Sequence, residues 1–436
     1  MKTIAKLALT AVAAGITVAS AAQPVSVYAG QKTFEETLNK MSSNPNVSYE
    51  NVEKGYSDRK DKIVVKVDLN DEKPYEIVVN MNTSFSIKGS HSEFAVDYES
   101  SFFKKLNEYI EIKQYPENKG FFDFDYLSAL GTVTFENKPF SFKVKDEDFN
   151  CDVGTYRADS RFTKEQIERE YTKVVEYLTG GASAIPQKSG LDFVKCYDTE
   201  KKNNISIGSV KSNGEGIMLS FINRSDLTLS NIVVDTEELG VSVDSAVLGF
   251  SLENTQKKAN ESALTTNIKI SGFKFNKLSE SLSGGLTLPK DYVINSIDHQ
   301  LVLNKITDKN IKLISDMLNS SDGTDSDSMI EEMMKDQVVD ARTDNSIKTS
   351  HGDLKLDVSV ASKGVESIME EHDVNIEFAA SKKLLDVYDK SASAFLDSLV
   401  MMKYLKFEND TYTATVTIKN GKINANGAEI NMENFL

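Results

Sequence analysis

The chain has 436 residues, 40% of them apolar and 27% charged, which is enough for a packed core and excludes a wholly disordered chain. Asp and Glu outnumber Lys and Arg by 66 to 50, a formal charge of -16 that repels nucleic-acid phosphates and anionic head groups and argues against both as general partners. The length suits roughly two or three domains.

The first stretch, MKTIAKLALTAVAAGITVASAAQP, carries Lys2 and Lys6, runs apolar from Leu7 to Ala22, and ends in the small-residue pattern Ala19-Ser20-Ala21. This is the composition of a secretory signal. The run is shorter than the ~20 residues of a spanning helix, but apolar residues resume at Val25, Val27 and Tyr28. Residues 1–30 are therefore read as a signal peptide or a signal anchor, with no second membrane segment after them. On either reading the body is soluble and lies outside the cytoplasm.

Residues 31–200 read as an N-terminal α+β domain. TFEETLNKM predicts a short helix with capping-box spacing at Thr33 and Glu36. Ile63, Val65, Val67 and Leu69 alternate with polar residues, as do Tyr75, Ile77, Val79 and Met81, which predicts an antiparallel hairpin with one buried face. Phe85 and Ile87, then Phe94 and Val96, suggest further strands, and SFFKKLNEYIEI a helix. Val133 and Phe135 are expected to face Phe140, Phe142 and Val144 across an ENKP turn. A helix is predicted from Thr163 to Leu178, ended by Gly180-Gly181.

Residues 201–318 form a β-rich middle region with a closing helix from Thr307. Residues 319–345 read as an acidic polar loop, NSSDGTDSDS, and a helix over MIEEMMKDQVVD. In residues 346–436, Leu354, Leu356, Val358 and Val360 alternate, and this strand-helix-hairpin region is read as continuous with the middle sheet. Leu385, Tyr388, Ala392, Phe395, Leu399 and Met402 step along one helix. A last hairpin turns at Asn420-Gly421, pairing Ile418 with Ile423, Val416 with Ala425 and Thr415 with Asn426. The fold class expected is α+β: elongated, with extended antiparallel sheets and short amphipathic helices packed on them.

No constellation of residues carries an evident chemistry, and we assign no catalytic, metal or cofactor residue. His91, His299, His351 and His372 stand far apart without ligand spacing. Ser101 to Lys104 matches the S-x-x-K of serine acyl enzymes, without the companion motifs. The acidic run Asp322 to Glu332 lacks the order of a calcium loop. Asp123 and Asp125 are paired carboxylates, and they carry the alternative reading of a hydrolase acting on cell-wall or exported polymers. Cys151 and Cys196 can pair in an oxidising compartment or remain thiols.

The closing run YTATVTIKNGKINANG places Tyr412, Gly421, Asn426 and Gly427 in a strand, turn and strand ending in Asn-Gly. Near the front, Tyr28, Gly30 and Glu35 precede Val47, Tyr49, Gly55 and Ser57. Together with IKTSHGDLKLDVSV, these segments resemble the YdgA-like bacterial family, also called the domain-of-unknown-function 945 family. GSHSEF, from Gly89 to Phe94, departs from the His-Gly-Pro of family members, so that motif's role is not carried over. The resemblance implies a periplasm-facing envelope protein anchored in the inner membrane, without an established activity.

The reading that follows is a non-enzymatic, exported binding or scaffold protein whose partner is an envelope protein or a lipid. It is soluble in the periplasm or held at the inner membrane by its N-terminal segment, alone or as an oligomer. Apolar strand faces such as Ile63/Val65/Val67/Leu69 either line a groove for acyl chains or form ordinary core.

Overall fold

The computed structural model describes Glu35, Pro289 and the spans 46–163, 185–198, 203–217, 221–254, 262–278, 292–307, 340–361, 373–419 and 421–430, with short breaks at 56, 70–72, 87, 126–127, 129, 146–148 and 389. The N-terminal segment, the helices expected from residue 164 and from residue 308, and the acidic loop lie outside the described residues. The chain divides into two compact units, Met1–Glu170 with Ser183–Ile222, and Tyr171–Ala182 with Asn223–Leu436.

Strands dominate both units, and every pairing given for them is antiparallel. The α+β expectation is therefore corrected: this is an antiparallel β architecture with a few short helices, not sheets layered with helices. Its cause is strand length. Alternation persists for ten to seventeen residues in strands such as Asp58–Val67 and Ser262–Leu278, so the strands find their partners in one another rather than in a layer of helices.

In the first unit β1 (Val47–Lys54), β2 (Asp58–Val67), β3 (Tyr75–Phe85) and β4 (Gly89–Asp97) form a meander. Ile63 pairs with Val79 and Val65 with Ile77, the hairpin expected from the sequence. Helix α1 (Ser101–Tyr109) follows, shorter than the expected SFFKKLNEYIEI because Ile110–Ile112 turns to strand, and buries Phe102 and Phe103 against Val67 and Ile77.

Next come β5 (Ile110–Ile112), β6 (Asn118–Asp125), β7 (Leu130–Asn137), β8 (Phe140–Val144), β9 (Phe149–Val153), β10 (Tyr156–Thr163), β11 (Ile185–Leu191), β12 (Val194–Asp198) and β13 (Asn203–Ile217). The expected ENKP hairpin is not formed. β7 pairs with β6 and β10, and β8 with β5 and β9. The chain runs on through Lys138-Pro139, and the register across β9/β10 is the same on both sides: Phe140 faces Val153 and Asn137 faces Tyr156. Proline has no N–H to give the ladder, so the strand is interrupted rather than reversed. The same interruption recurs at Gly154-Thr155 and Asp192-Phe193, which bond each other through Gly154 N to Phe193 O at 2.8 Å and Asp192 N to Thr155 O at 3.0 Å. β13 spans it unbroken, pairing with both β11 and β12.

Cys151 on β9 and Cys196 on β12 face each other in register and are joined by a disulfide. Thr163 ends β10 rather than starting a helix.

One face of this sheet is core. Ile63, Val79, Met81, Phe85, Phe94, Phe122, Phe124, Val133 and Phe135 are all buried there, and Val67 is buried beneath α1. The strand faces weighed above as an acyl groove are therefore ordinary core in this unit. Within that face lies a charged pair that the sequence did not single out. Arg59 Nε and Nη2 each donate to Asp61 at 2.6 Å, and both side chains are fully buried. Asn51 Nδ2 adds a third bond to Asp61 at 3.0 Å.

The second unit is a meander of β14 (Phe221–Asp235), β15 (Leu239–Asn254), β16 (Ser262–Leu278), β17 (Val293–Ile306), β18 (Asp340–Thr349), β19 (Gly352–Ala361) and β20 (Asp373–Ser381). β20 pairs with β22 (Thr411–Lys419), which also carries β21 (Lys406–Glu408) and β23 (Lys422–Ala425). β24 (Ala428–Glu429) closes the chain on β23. Between β20 and β21 lie α2 (Lys382–Tyr388) and α3 (Lys390–Met401).

The expected single helix through Leu385 and Met402 is thus two, and its stripe is not one buried face. Leu385, Leu396, Leu399 and Val400 pack on the sheet, while Tyr388, Phe395 and Met402 are exposed. Within each helix only one side meets the sheet, so Leu385 and Leu399 pack while Tyr388 and Phe395 of the same two helices do not.

Candidate functional site

The feature of the second unit that calls for explanation is one face of its sheet. Cross-strand partners share a face, and the registers therefore place Leu227, Leu248, Ile268, His299, Asn345, Leu356, Phe378 and Ala414 in a single row from β14 to β22. Beside it runs Ala246, Ile270, Ile297, Ile347, Leu354, Ala380 and Tyr412. On the other side lie Phe250, Thr266, Leu301, Thr343, Val358, Ile376 and Val416. The face is mostly apolar, with His299, Asn345, Thr266 and Thr343 as its polar members.

Its two ends differ in cover. Over β20 and β22 the helices α2 and α3 close it, and Tyr412 and Ala414 are buried in a cluster with Leu405. Over β15, β16 and β19 the same face stays open: Leu248, Ile268 and Leu356 are 42%, 39% and 41% exposed. Isolated exposed apolar residues are ordinary on protein surfaces; here three of them share one row of a mostly apolar face, Leu248 next to Ile268, with His299 and Asn345 between Ile268 and Leu356.

The reverse face is built for water. Lys269 lies 3.5 Å from Asp298, Arg342 Nε donates to Asp344 at 2.8 Å, and Lys355 lies 2.6 Å from Asp357 and 4.0 Å from Glu377. Exposed pairs of this kind contribute about 0 to 1 kcal/mol each. Their consequence is polarity: the sheet has one wet face and one oily one.

Helices α2 and α3 are clamped to the sheet by a polar network. The buried Tyr412 hydroxyl donates to Asp397 Oδ1 at 2.6 Å, and Lys382 Nζ donates to Asp397 Oδ2 at 2.9 Å. The hydrogen bond from Tyr412 and then that from Lys382 hold the Asp397 carboxyl below its ordinary value. Burial, and then the neighbouring carboxylate, push the Tyr412 phenol up.

The closing turns explain the other signature residues. Gly421 has φ 72°, and Asn426 and Gly427 have φ 49° and 86°, the left-handed pair of a two-residue type I′ turn between β23 and β24. Lys419 faces Lys422, Ile418 faces Ile423 and Val416 faces Ala425, the expected register. Beyond it Asn426 N still donates to Thr415 O at 2.8 Å, while the return bond goes to the side chain, Thr415 N donating to Asn426 Oδ1 at 3.0 Å, and Asn426 Nδ2 donates to Tyr404 O at 2.9 Å.

In the first unit Tyr49 sits on β1 against the core, and Gly55 N bonds Asp58 O at 2.8 Å in the turn into β2.

Elsewhere the structure does not assemble a reaction centre from the residues weighed in the sequence. Asp123 and Asp125 project from the exposed side of β6, while Phe122 and Phe124 fill the core. Asp123 accepts from His91 Nδ1 at 2.6 Å, and Asp125 accepts from Ser128 N at 2.7 Å and its hydroxyl at 3.0 Å. Ser84 stands opposite His91, but its hydroxyl donates to the His91 carbonyl at 3.3 Å, and His91 Nε2 lies 3.7 Å from Glu93. Ser101 Oγ accepts from Glu76 N at 2.8 Å, and Lys104 lies 3.9 Å from Glu99, so the S-x-x-K residues serve separate contacts. Among the described residues no group of His, Cys, Asp and Glu is arranged to hold a metal ion. His372 and the run from Asp322 to Glu332 lie outside the described residues.

Residues 316–433 match the family model described as "Bacterial protein of unknown function (DUF945)". The DUF945 segment takes in β18 to β24, and so the closed end of the apolar face together with Asn345 and Leu356 on its open part. Tyr49 and Gly55 lie outside it. No curated protein and no solved structure matches the chain.

Proposed function

We propose that this is an exported cell-envelope protein that acts by binding rather than by catalysis, holding the acyl chains of a lipid on the open apolar face between β14 and β19. The observation that carries the reading is the exposure of Leu248, Ile268 and Leu356 within a mostly apolar face whose far end is covered by α2 and α3.

Each acyl methylene taken from water onto such a surface contributes up to about 0.8 kcal/mol. A chain laid over several strands thereby gains an affinity that no individual polar contact need supply. The signal-like N-terminal composition and the Cys151–Cys196 disulfide both support a compartment outside the cytoplasm.

The test is purification of the full chain without detergent, followed by solvent extraction and mass spectrometry of the extract. Co-purified acyl lipid in stoichiometric amount supports the reading. Protein free of lipid, which also fails to take up lipid from vesicles, contradicts it.

A further inference from the structure

The apolar face contains one polar island. His299 on β17 faces Asn345 on β18, and their neighbours along the two strands and across them include Ile297, Leu301, Ile268 and Leu356. Asn345 is oriented by two bonds, Nδ2 to Leu356 O at 2.7 Å and Nδ2 to Thr343 Oγ1 at 3.3 Å. Its Oδ1 is therefore the atom turned to His299, and His299 Nδ1–H donates to it at 2.6 Å. A neutral imidazole with Nδ1 protonated keeps a lone pair on Nε2. That nitrogen has no hydrogen-bond partner among the described residues.

We infer that His299, oriented by Asn345, receives the carboxyl group of a long-chain fatty acid whose tail lies over Ile268 and Leu248 toward β14. The inference rests on the acyl-binding reading above and names the ligand class. An imidazole nitrogen and a carboxylic acid share a single proton, held as O–H···N or as carboxylate and N–H, so the pair forms with either partner protonated. The balance is one proton, and no bond is made or broken elsewhere.

A phosphodiester head group fits less well, because it is permanently anionic and calls for a cation. The cations of these strands, Lys269, Arg342 and Lys355, belong to the opposite face by register. From β17 to β14 the face spans three strand spacings, roughly 14 Å, room for most of an extended acyl tail. The side chains along that path, Ile268 and Leu248, are among those left open.

Equilibrium dialysis of the full chain with radiolabelled palmitate and with its methyl ester, which has no acidic proton, tests this. His299→Leu and His299→Gln are compared with the wild type, the glutamine variant keeping an amide beside Asn345 should the leucine variant fold poorly. Leu248→Asp reports on the tail path. Palmitate affinity is expected to fall about 10- to 100-fold in both His299 variants, the range of a charge-assisted hydrogen bond, with ester binding unchanged. Leu248→Asp is expected to weaken both ligands.

Unchanged palmitate affinity in both His299 variants, with both ligands lost in Leu248→Asp, overturns the carboxyl site and leaves the acyl face standing. Tighter binding of a phospholipid than of palmitate overturns the ligand class. Binding of neither ligand to the wild type removes the acyl face and this inference together.

Discussion

Leu356 and Ala414 lie on the same face of one sheet, in the same cross-strand row with only Phe378 between them, yet Leu356 is 41% exposed and Ala414 6%. The difference is the cover of α2 and α3: the cluster they close with Leu405 takes in Ala414 and Phe378 but not Leu356. Stability should follow this gradient. Leu356→Ala is expected to cost about 1 kcal/mol or less, since much of its surface is already in water. Leu384→Ala, at a buried position of α2, is expected to cost about 2 to 5 kcal/mol. Urea denaturation of the two variants measures both.

The Tyr412–Asp397–Lys382 network should set an acid limit for the C-terminal region. Asp397 is held below its ordinary value of 3.8 in the folded state. A carboxyl with a lowered folded pKa stabilises the fold above its unfolded value, and the contribution is lost as pH falls through the folded one. The loss therefore falls below about pH 4. Asp397→Asn removes this dependence, so the melting temperatures of variant and wild type converge toward the acid end of a titration from pH 6 to 2. Tyr412→Phe should cost about 1.5 to 3 kcal/mol, the range of a hydrogen bond to a charged group.

Arg59 and Asp61 form the buried ion pair of the first unit. Removing one partner leaves the other charge in the core, so Asp61→Ala is expected to cost about 3 to 5 kcal/mol. Replacing both, as Arg59→Met with Asp61→Leu, should recover most of that loss. A double-mutant cycle in chemical denaturation checks the pair, and equal losses in single and double variants would contradict the assignment.

The Cys151–Cys196 bridge joins directly opposed residues 45 positions apart in sequence. Its removal by reduction or by Cys196→Ser is expected to cost about 2 to 4 kcal/mol. The first unit should therefore unfold earlier in calorimetry under reducing conditions, with the second unit's transition unchanged.

Local pairing was legible in the sequence at two hairpins where alternation met turn residues, and misleading at the ENKP stretch. Ile63 against Val79, and the hairpin that closes on Gly421, follow from apolar spacing alone. Pro139 misled because a proline after Asn and Lys suits a turn as well as an interrupted strand, and only partners elsewhere in the chain, β5/β6 and β9/β10, decide between them. The open face was illegible for a related reason. Leu354, Leu356 and Val358 alternate just as Ile63, Val65 and Val67 do, and alternation says which side is apolar, not whether anything covers it. His299 and Asn345 are far apart in the chain, so only register across strands brings them together. Arg59 and Asp61 were not singled out in the sequence because burial of a pair depends on the sheet that closes over it.

The most direct measurement is native mass spectrometry of the full chain, purified without detergent, as wild type and as the double variant Leu248→Asp with Leu356→Asp. The wild type should carry bound species of lipid mass and the folded variant should carry none. Wild-type protein that stays free of adduct after incubation with lipid, or adducts equally abundant in the folded variant, would contradict the acyl-binding face.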